Sequence, residues 1–274
     1  MKTWTERLYF GTWQLGGDFG NLPVKKAAEL LENAWDSGIR RFDTAAVYGR
    51  GSVENIIGAT LPVDAFVLTK IPALSKPRDD LIERSTDLYS EIWIEQQVVF
   101  SLERLQRSSI DTLLLHNWKK EWLADENLLP LKHLERLRQQ GVIKRFGISL
   151  RDGFSISLTD EILDLVDVIE APLSKHETWI VRDLPRLKDR NIEVIARSIF
   201  LQGMLLKTDK QLAELDSQDI RRARFKTPLL NGGLLATELL QEVWDRGTSI
   251  VVGMTTIEQI RENIAVITGI GANY

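Results

Sequence analysis

Four side chains suited to acid–base chemistry punctuate the first half of the chain: Asp43, Tyr48, Lys70 and His116. A phenol ordinarily ionises near pH 10, and a neighbouring cation stabilises its anion and lowers that value. Lys70 could serve Tyr48 in this way, with Asp43 pairing Lys70 to keep it charged and aimed. His116 could offer a second hydrogen bond toward the same oxygen. Together they are the equipment for protonating a carbonyl oxygen while hydride arrives at its carbon. Each residue alone has a plainer use: Asp as a turn or cap residue, Tyr as packing, Lys as a solvated strand end, His as a hydrogen-bonded bystander. The chemical reading therefore rests on whether the chain brings the four together.

The surrounding pattern says that it does. Apolar runs read as strands at Leu8–Trp13, Arg40–Phe42, Phe66–Lys70, Ile110–His116, Val142–Ser149, Val166–Glu170, Ile192–Arg197 and Thr248–Val252. Segments with helical period alternate with them: 24–36, 54–61, 92–106, 128–140 (closed by Gly141), 159–165 (Thr159 as candidate N-cap), 177–189, 234–245 and 257–267. Strands separated by helices must run parallel, because each crossover needs a dozen or more residues. Eight such units in about 250 residues favour a closed (β/α)8 TIM barrel, of class α/β, forming one domain over 1–274. An open doubly wound sheet is the runner-up. It is weakened because Gly16-Gly17-Asp18-Phe19-Gly20 lacks the GxGxxG spacing and no helix follows at once. In a barrel, the carboxyl ends of strands two, three and four share one mouth, which unites Asp43, Tyr48, Lys70 and His116.

Composition narrows the alternatives. The chain has 274 residues, 43% hydrophobic and 27% charged, enough for a full core. A net charge of −4 gives no global attraction to nucleic acid or anionic membrane. Cysteine is absent, which excludes disulfides, zinc thiolates and thiol nucleophiles and suits a reducing compartment. The start lacks a secretory pattern, and no apolar run reaches 18 residues, so a cytoplasmic protein is expected. His133 and His176 read as surface or packing residues, and the three histidines show no ligand spacing, so no metal is expected. The basic cluster Arg221–Lys226 reads as a solvated face that could also cover a cofactor or meet an anionic substrate.

The segment Val251 to Thr256, running from strand eight into the last helix, suits a phosphate through its backbone N–H groups and helix dipole. Thr255 or Thr256 could equally be an ordinary N-cap there.

The spacing of Asp43, Tyr48, Lys70 and His116, with Phe42-Asp43-Thr44-Ala45 and Tyr48-Gly49 around the first pair, resembles the aldo-keto reductase superfamily. Gly11-Thr12-Trp13, Gly147-Ile148-Ser149 and the stretch Gly253 to Asn263 extend the likeness over nearly the whole chain. The resemblance implies NAD(P)H-dependent interconversion of carbonyls and alcohols, with Tyr48 as general acid, Lys70 and Asp43 tuning it, and His116 orienting the carbonyl. It implies a cofactor site from Gly11, Thr12, Trp13, Asp43, Ser149, Glu170, Arg197, Ser198, Phe200, Gly203, Gly253, Met254, Thr255, Gln259, Glu262 and Asn263. Trp13, Tyr48, His116 and Trp118 would meet a small carbonyl or alcohol substrate at the mouth.

Several positions depart from the commonest family pattern. Ser149-Leu150 stands for Ser-Asn, Glu170 for the Gln that holds the carboxamide, and Arg197 for the aromatic residue stacked on the nicotinamide. Glu accepts from an amide but donates only when protonated, while a guanidinium plane can stack on a ring. Gly253 and Gln259 replace the Lys and Arg that often hold the 2′-phosphate, with Arg261 close by. NADPH is expected, with NADH possible. Two other classes fit less well: a cofactor-binding regulatory barrel with little turnover, and a barrel lyase with Lys70 as Schiff base. The end at Tyr274 implies an open mouth shaped by residues 117–127 and 201–233. Oligomeric state and physiological substrate are not encoded legibly.

Overall fold

The computed structural model describes residues 3–17, 22–76, 83–124, 127–208, 210–211 and 234–269. Eight parallel strands close in sequence order: β1 Leu8–Gly11, β2 Arg41–Asp43, β3 Phe66–Ile71, β4 Ile110–Trp118, β5 Ile143–Leu150, β6 Val168–Pro172, β7 Glu193–Arg197 and β8 Ser249–Gly253. β8 pairs back on β1, with Phe10 opposite Val252. The expected (β/α)8 barrel is the fold.

Helices cover the outside: α1 Val24–Asp36, α2 Ser52–Thr60, α3 Ser85–Leu88, α4 Glu91–Leu105, α5 Leu129–Gln139, α6 Asp160–Leu163, α7 Leu184–Asp189, α8 Ala236–Asp245 and α9 Ile257–Thr268. Their apolar stripes, such as Ala27, Leu30, Leu31 and Ala34 of α1, are buried against the sheet. Each fully buried aliphatic side chain there contributes about 1.5–3 kcal/mol.

One expectation needs correction, and two others gain detail. The helix expected over 177–189 is a 3₁₀ turn, Trp179–Asp183, followed by the short α7; Pro185 at the start of α7 lacks the N–H for a continuous ladder. Thr159 occupies the N-cap of α6 but makes no capping hydrogen bond, and its buried Oγ1 has no partner. The segment 201–233 includes a short 3₁₀ helix, Met204–Leu206, while 212–233, with the Arg221–Lys226 cluster, lies outside the described residues.

The barrel interior obeys the two-residue period of strands, and this positions the site. At the amino ends, Arg41 donates to the Tyr9 hydroxyl at 2.8 Å, and Arg145 and Ser249 donate to Glu193 at 2.6 and 2.5 Å. These groups come from β1, β2, β5, β7 and β8 and form a polar floor. Two residues further along, Leu68, Leu114, Val168 and Ile195 make a buried apolar layer with Tyr9. Another two residues on, at the carboxyl ends, stand Lys70, His116, Glu170 and Arg197, joined there by Ser149, Gly253 and Asp43 at the end of the short β2. Gly147 of β5 admits the closest approach of β6, since a Cβ there would lie 1.7 Å from the Val168 carbonyl oxygen.

Candidate active site

Lys70 is the centre of the mouth's charge. Its Nζ donates to Asp43 Oδ2 at 2.5 Å and to the Thr44 carbonyl at 3.0 Å, and lies 3.4 Å from Glu170 Oε1. Asp43, Lys70 and Glu170 are 3%, 1% and 1% exposed, so water does little to screen them. Thr12 fixes the first partner, its N–H and hydroxyl both donating to the Asp43 carbonyl at 3.0 and 2.8 Å. Asp43 thus belongs to β2 itself, one residue beyond the expected strand end.

Above this trio lie Tyr48 and His116, both half-buried. Lys70 Nζ is 5.5 Å from the Tyr48 ring centroid. Trp13 stacks on Tyr48 at 6.3 Å, and His116 meets it edge-to-face at 6.4 Å. Two glycines seat the phenol. Gly16 and Gly49 touch backbone to backbone, so that a Cβ on Gly16 would fall 2.7 Å from the Gly49 nitrogen. Gly49 itself has φ +53° and Ser52 Oγ 2.2 Å from its would-be Cβ. Behind the loop, Glu54 of α2, fully buried, accepts from Thr69 Oγ1 at 2.7 Å and pairs with Arg104 at 3.3 Å. This clamp ties the helix after Tyr48 to the residue beside Lys70. An acid in a helix's first turn carries no sign of that role in the sequence.

Electrostatics follow from burial and the two carboxylates. Burial works against the charge on Lys70, but Asp43, then Glu170 and Tyr48, outweigh it and raise its pKa. A lysine so held is a poor Schiff-base nucleophile. Burial pushes Asp43 up to about 7, with Lys70 resisting and Glu170 adding to the rise. Burial also raises the Tyr48 phenol, with Lys70 and Arg197 opposing and Asp43 and Glu170 reinforcing. The net direction reverses the expectation of a lowered phenol: Lys70 does stabilise the phenolate, but desolvation and a second carboxylate prevail. Burial, then Lys70 and Arg197, push His116 down to about 3, so its imidazole is neutral at physiological pH.

The remaining positions sort by depth. Arg197 donates to Asp152 at 2.7 Å, to the Leu150 carbonyl at 2.6 Å and to Ser198 Oγ at 3.0 Å, which ties it across β5 and β7. Trp118 does not line the mouth: it is fully buried and packs edge-to-face on Trp122 at 5.2 Å. β4 runs past His116 to Trp118, with a register irregularity between Leu115 and Trp118, and this carries the indole into the core. Trp13 stays partly exposed beside Tyr48.

Two orphaned polar atoms sit together at the rim. Ser149 Oγ and Glu170 Oε2 are buried without partners, on residues paired in register between β5 and β6. A hydroxyl donor beside a carboxyl acceptor complements a carboxamide, which supports a nicotinamide there. At the far side, Thr256 is the N-cap of α9 and accepts from the Gln259 N–H at 3.2 Å, while Gln259 Oε1 accepts from the Thr255 N–H at 2.8 Å. These two N–H groups are therefore engaged by the helix's own cap. Gln14 donates to the Gly11 and Met254 carbonyls at 2.6 and 3.0 Å and covers Gly253, joining β1 to β8. Asn263 faces inward, and Glu262 and Gln259 are exposed. In the loop after β7, Ser198, Leu201, Gln202 and Gly203 all have positive φ, and Phe200 lies among them, partly buried. Among the described residues no cluster could hold a metal, and no helix is long and apolar enough to cross a membrane.

Comparison with known proteins agrees with this geometry. A family model described as the aldo/keto reductase family matches residues 7–268. D-threo-aldose 1-dehydrogenase of a Pseudomonas species is 29% identical over 262 residues, covering 87% of this chain and 74% of that protein. Among solved structures, a glycerol dehydrogenase of Gluconobacter oxydans superposes with TM-score 0.75 at 24% identity, covering 98% of this chain and 88% of the other. An aldo/keto reductase of Klebsiella pneumoniae, solved with NADP and acetate, gives 0.65 at 19% identity, covering 95% and 85%.

Proposed function

Because this chain belongs to the aldo/keto reductase family of NAD(P)-dependent oxidoreductases, we propose that it reduces an aldehyde or ketone to an alcohol, reversibly, with Tyr48 as general acid. The observation that carries this reading is the phenol of Tyr48 standing over the buried Lys70–Asp43 pair with neutral His116 at its edge. Reduced nicotinamide, when bound, supplies hydride to the carbonyl carbon. Tyr48, held protonated by its surroundings, gives its proton to the carbonyl oxygen. Lys70 and Arg197 offset the charge of the phenolate left behind. His116, uncharged, directs an N–H at the same oxygen and so orients the carbonyl.

Ser149 and Glu170 would hold the carboxamide, and Arg197 the ring. Gly11, Thr12 and Trp13 would line the approach. Ser198, Phe200 and Gly203 would follow the pyrophosphate, while Gly253, Met254, Thr255, Gln259, Glu262 and Asn263 would reach the adenosine half. NADPH is the expected cofactor, with NADH accepted. The names of an aldose dehydrogenase and a glycerol dehydrogenase among the relatives favour a small hydroxylated carbonyl or alcohol as substrate.

The test is cofactor oxidation followed by absorbance, with glyceraldehyde and 4-nitrobenzaldehyde as probes and Tyr48→Phe as control. Turnover by the wild type that Tyr48→Phe lowers by at least about a hundredfold is expected for a lost general acid. Equal rates in both proteins would overturn the role of Tyr48. A regulatory barrel would bind the cofactor and turn over neither probe.

A further inference from the structure

The mouth holds one more acid than its cation can neutralise. Lys70 is contacted by Asp43 from β2 and by Glu170 from β6, and all three are buried. Of the other charged groups facing them, Arg197 from β7 acts on Glu170 through space while its hydrogen bonds go to Asp152, Ser198 and the Leu150 carbonyl, and His116 from β4 is neutral. Tyr48, after β2, is an uncharged phenol. Asp43 Oδ2 and Glu170 Oε1 approach the same Lys70 Nζ, at 2.5 and 3.4 Å, which holds the two carboxyls close together. Two ionised carboxylates have no proton to share, so they can attract rather than repel each other only when one of them carries one. A surplus buried anion beside a like charge is the arrangement that makes a carboxyl retain its proton.

We infer that Asp43 and Glu170 share one proton across Lys70, which makes Glu170 a positioning residue for the reaction as well as a ligand-binding one. With the proton in place the trio is neutral. When the pair loses it to solvent, one negative charge is added beneath Tyr48. The phenolate that forms as Tyr48 protonates a carbonyl oxygen is then disfavoured, so reduction slows as pH rises through the pair's titration. The consequence for turnover rests on the function proposed above; the shared proton does not.

Carboxyl ¹³C spectra of protein labelled at aspartate Cγ and glutamate Cδ, without cofactor or substrate, read the pair directly. Asp43→Asn and Glu170→Gln assign the two signals. In the wild type the Asp43 signal is expected to step near neutral pH, with the Glu170 signal responding to the same step. In Glu170→Gln the Asp43 step should move down by about two units, because Lys70 is then its alone. A wild type whose Asp43 and Glu170 both stay ionised down to pH 4 overturns the proposal, as does an Asp43 step unmoved in Glu170→Gln. The wild-type titration decides even if a variant misfolds. In parallel, NADPH-dependent reduction of 4-nitrobenzaldehyde should fall across the same pH window in the wild type, and Glu170→Gln should lose that fall. A limb unchanged in Glu170→Gln overturns the positioning role. The expected titration in a protein that reduces nothing would support the shared proton and count against the proposed reaction.

Discussion

Replacing Gly16 with alanine tests whether catalysis depends on how closely the Trp13 and Tyr48 loops approach. The added Cβ would meet the Gly49 nitrogen at 2.7 Å and the Tyr48 carbonyl carbon at 3.3 Å, where ordinary contact begins at 3.4 Å. Both partners are backbone, so one loop must move by about 0.7 Å, and the movable one carries Tyr48. Misplacing a catalytic group by about 1 Å costs about a hundredfold in rate, so we predict a fall in kcat of roughly ten- to a hundredfold. Overpacking at a rim loop should lower stability by about 1–3 kcal/mol, well short of unfolding. Steady-state kinetics and urea denaturation measure the two effects. Gly141→Ala is the control: its φ is +75° but nothing lies within 4 Å, so a loss of about 1 kcal/mol with unchanged kcat is expected. A folded Gly16→Ala protein with wild-type kcat would refute the argument that this backbone contact seats the phenol.

Lys70→Met leaves two buried carboxyls without their cation. It should cost about 3–5 kcal/mol in urea unfolding near pH 7, and a loss below 1 kcal/mol would show that the trio is hydrated. The depressed pKa of His116 means the fold must bind that proton less well than the unfolded chain does. Stability from this source is present above about pH 6.5 and lost as pH falls toward 3, so His116→Asn should flatten the melting temperature over that window; an unchanged slope would contradict a buried neutral imidazole. Gly147→Ala should disrupt the β5–β6 pairing that holds Ser149 and Glu170 and reduce stability by at least about 3 kcal/mol, read by denaturant midpoint. Fluorescence titration should find NADPH preferred over NADH by less than about a thousandfold, roughly 4 kcal/mol; a larger ratio would reveal a phosphate clamp beyond Gly253 and Gln259.

The barrel was legible because alternation of short apolar runs with helical stripes leaves few other arrangements, and strand ends placed Asp43, Lys70 and His116 at one mouth. What escaped was whatever depends on contacts across the barrel. Glu170 was readable as a residue facing a ligand, but its hold on Lys70 joins strands far apart in sequence. The signal was there in the two-residue period, since Glu170 follows Val168 as Lys70 follows Leu68. The direction of the Tyr48 shift failed for the same reason: a second carboxylate and the depth of the site are properties of the closed fold. Trp118 misled because two residues past His116 reads as rim, whereas β4 continues and its irregular register turns the indole inward. Of the two candidate caps it is Thr256, not Thr255, whose hydroxyl accepts from the Gln259 backbone N–H.

The polar floor has a consequence for traffic of protons. Arg41, Tyr9, Arg145, Glu193 and Ser249 close one end of the barrel, and the layer of Leu68, Leu114, Val168 and Ile195 separates them from Lys70. Among the described residues that layer sets aliphatic side chains between the floor and Lys70, so the rim is the polar side by which Asp43 and Glu170 meet solvent. A ligand seated on Tyr48, His116 and Ser149 would stopper that route. The protonation state present at the moment of binding would then be kept until the ligand leaves, and the pH that matters for each turnover would be the one met by the open barrel.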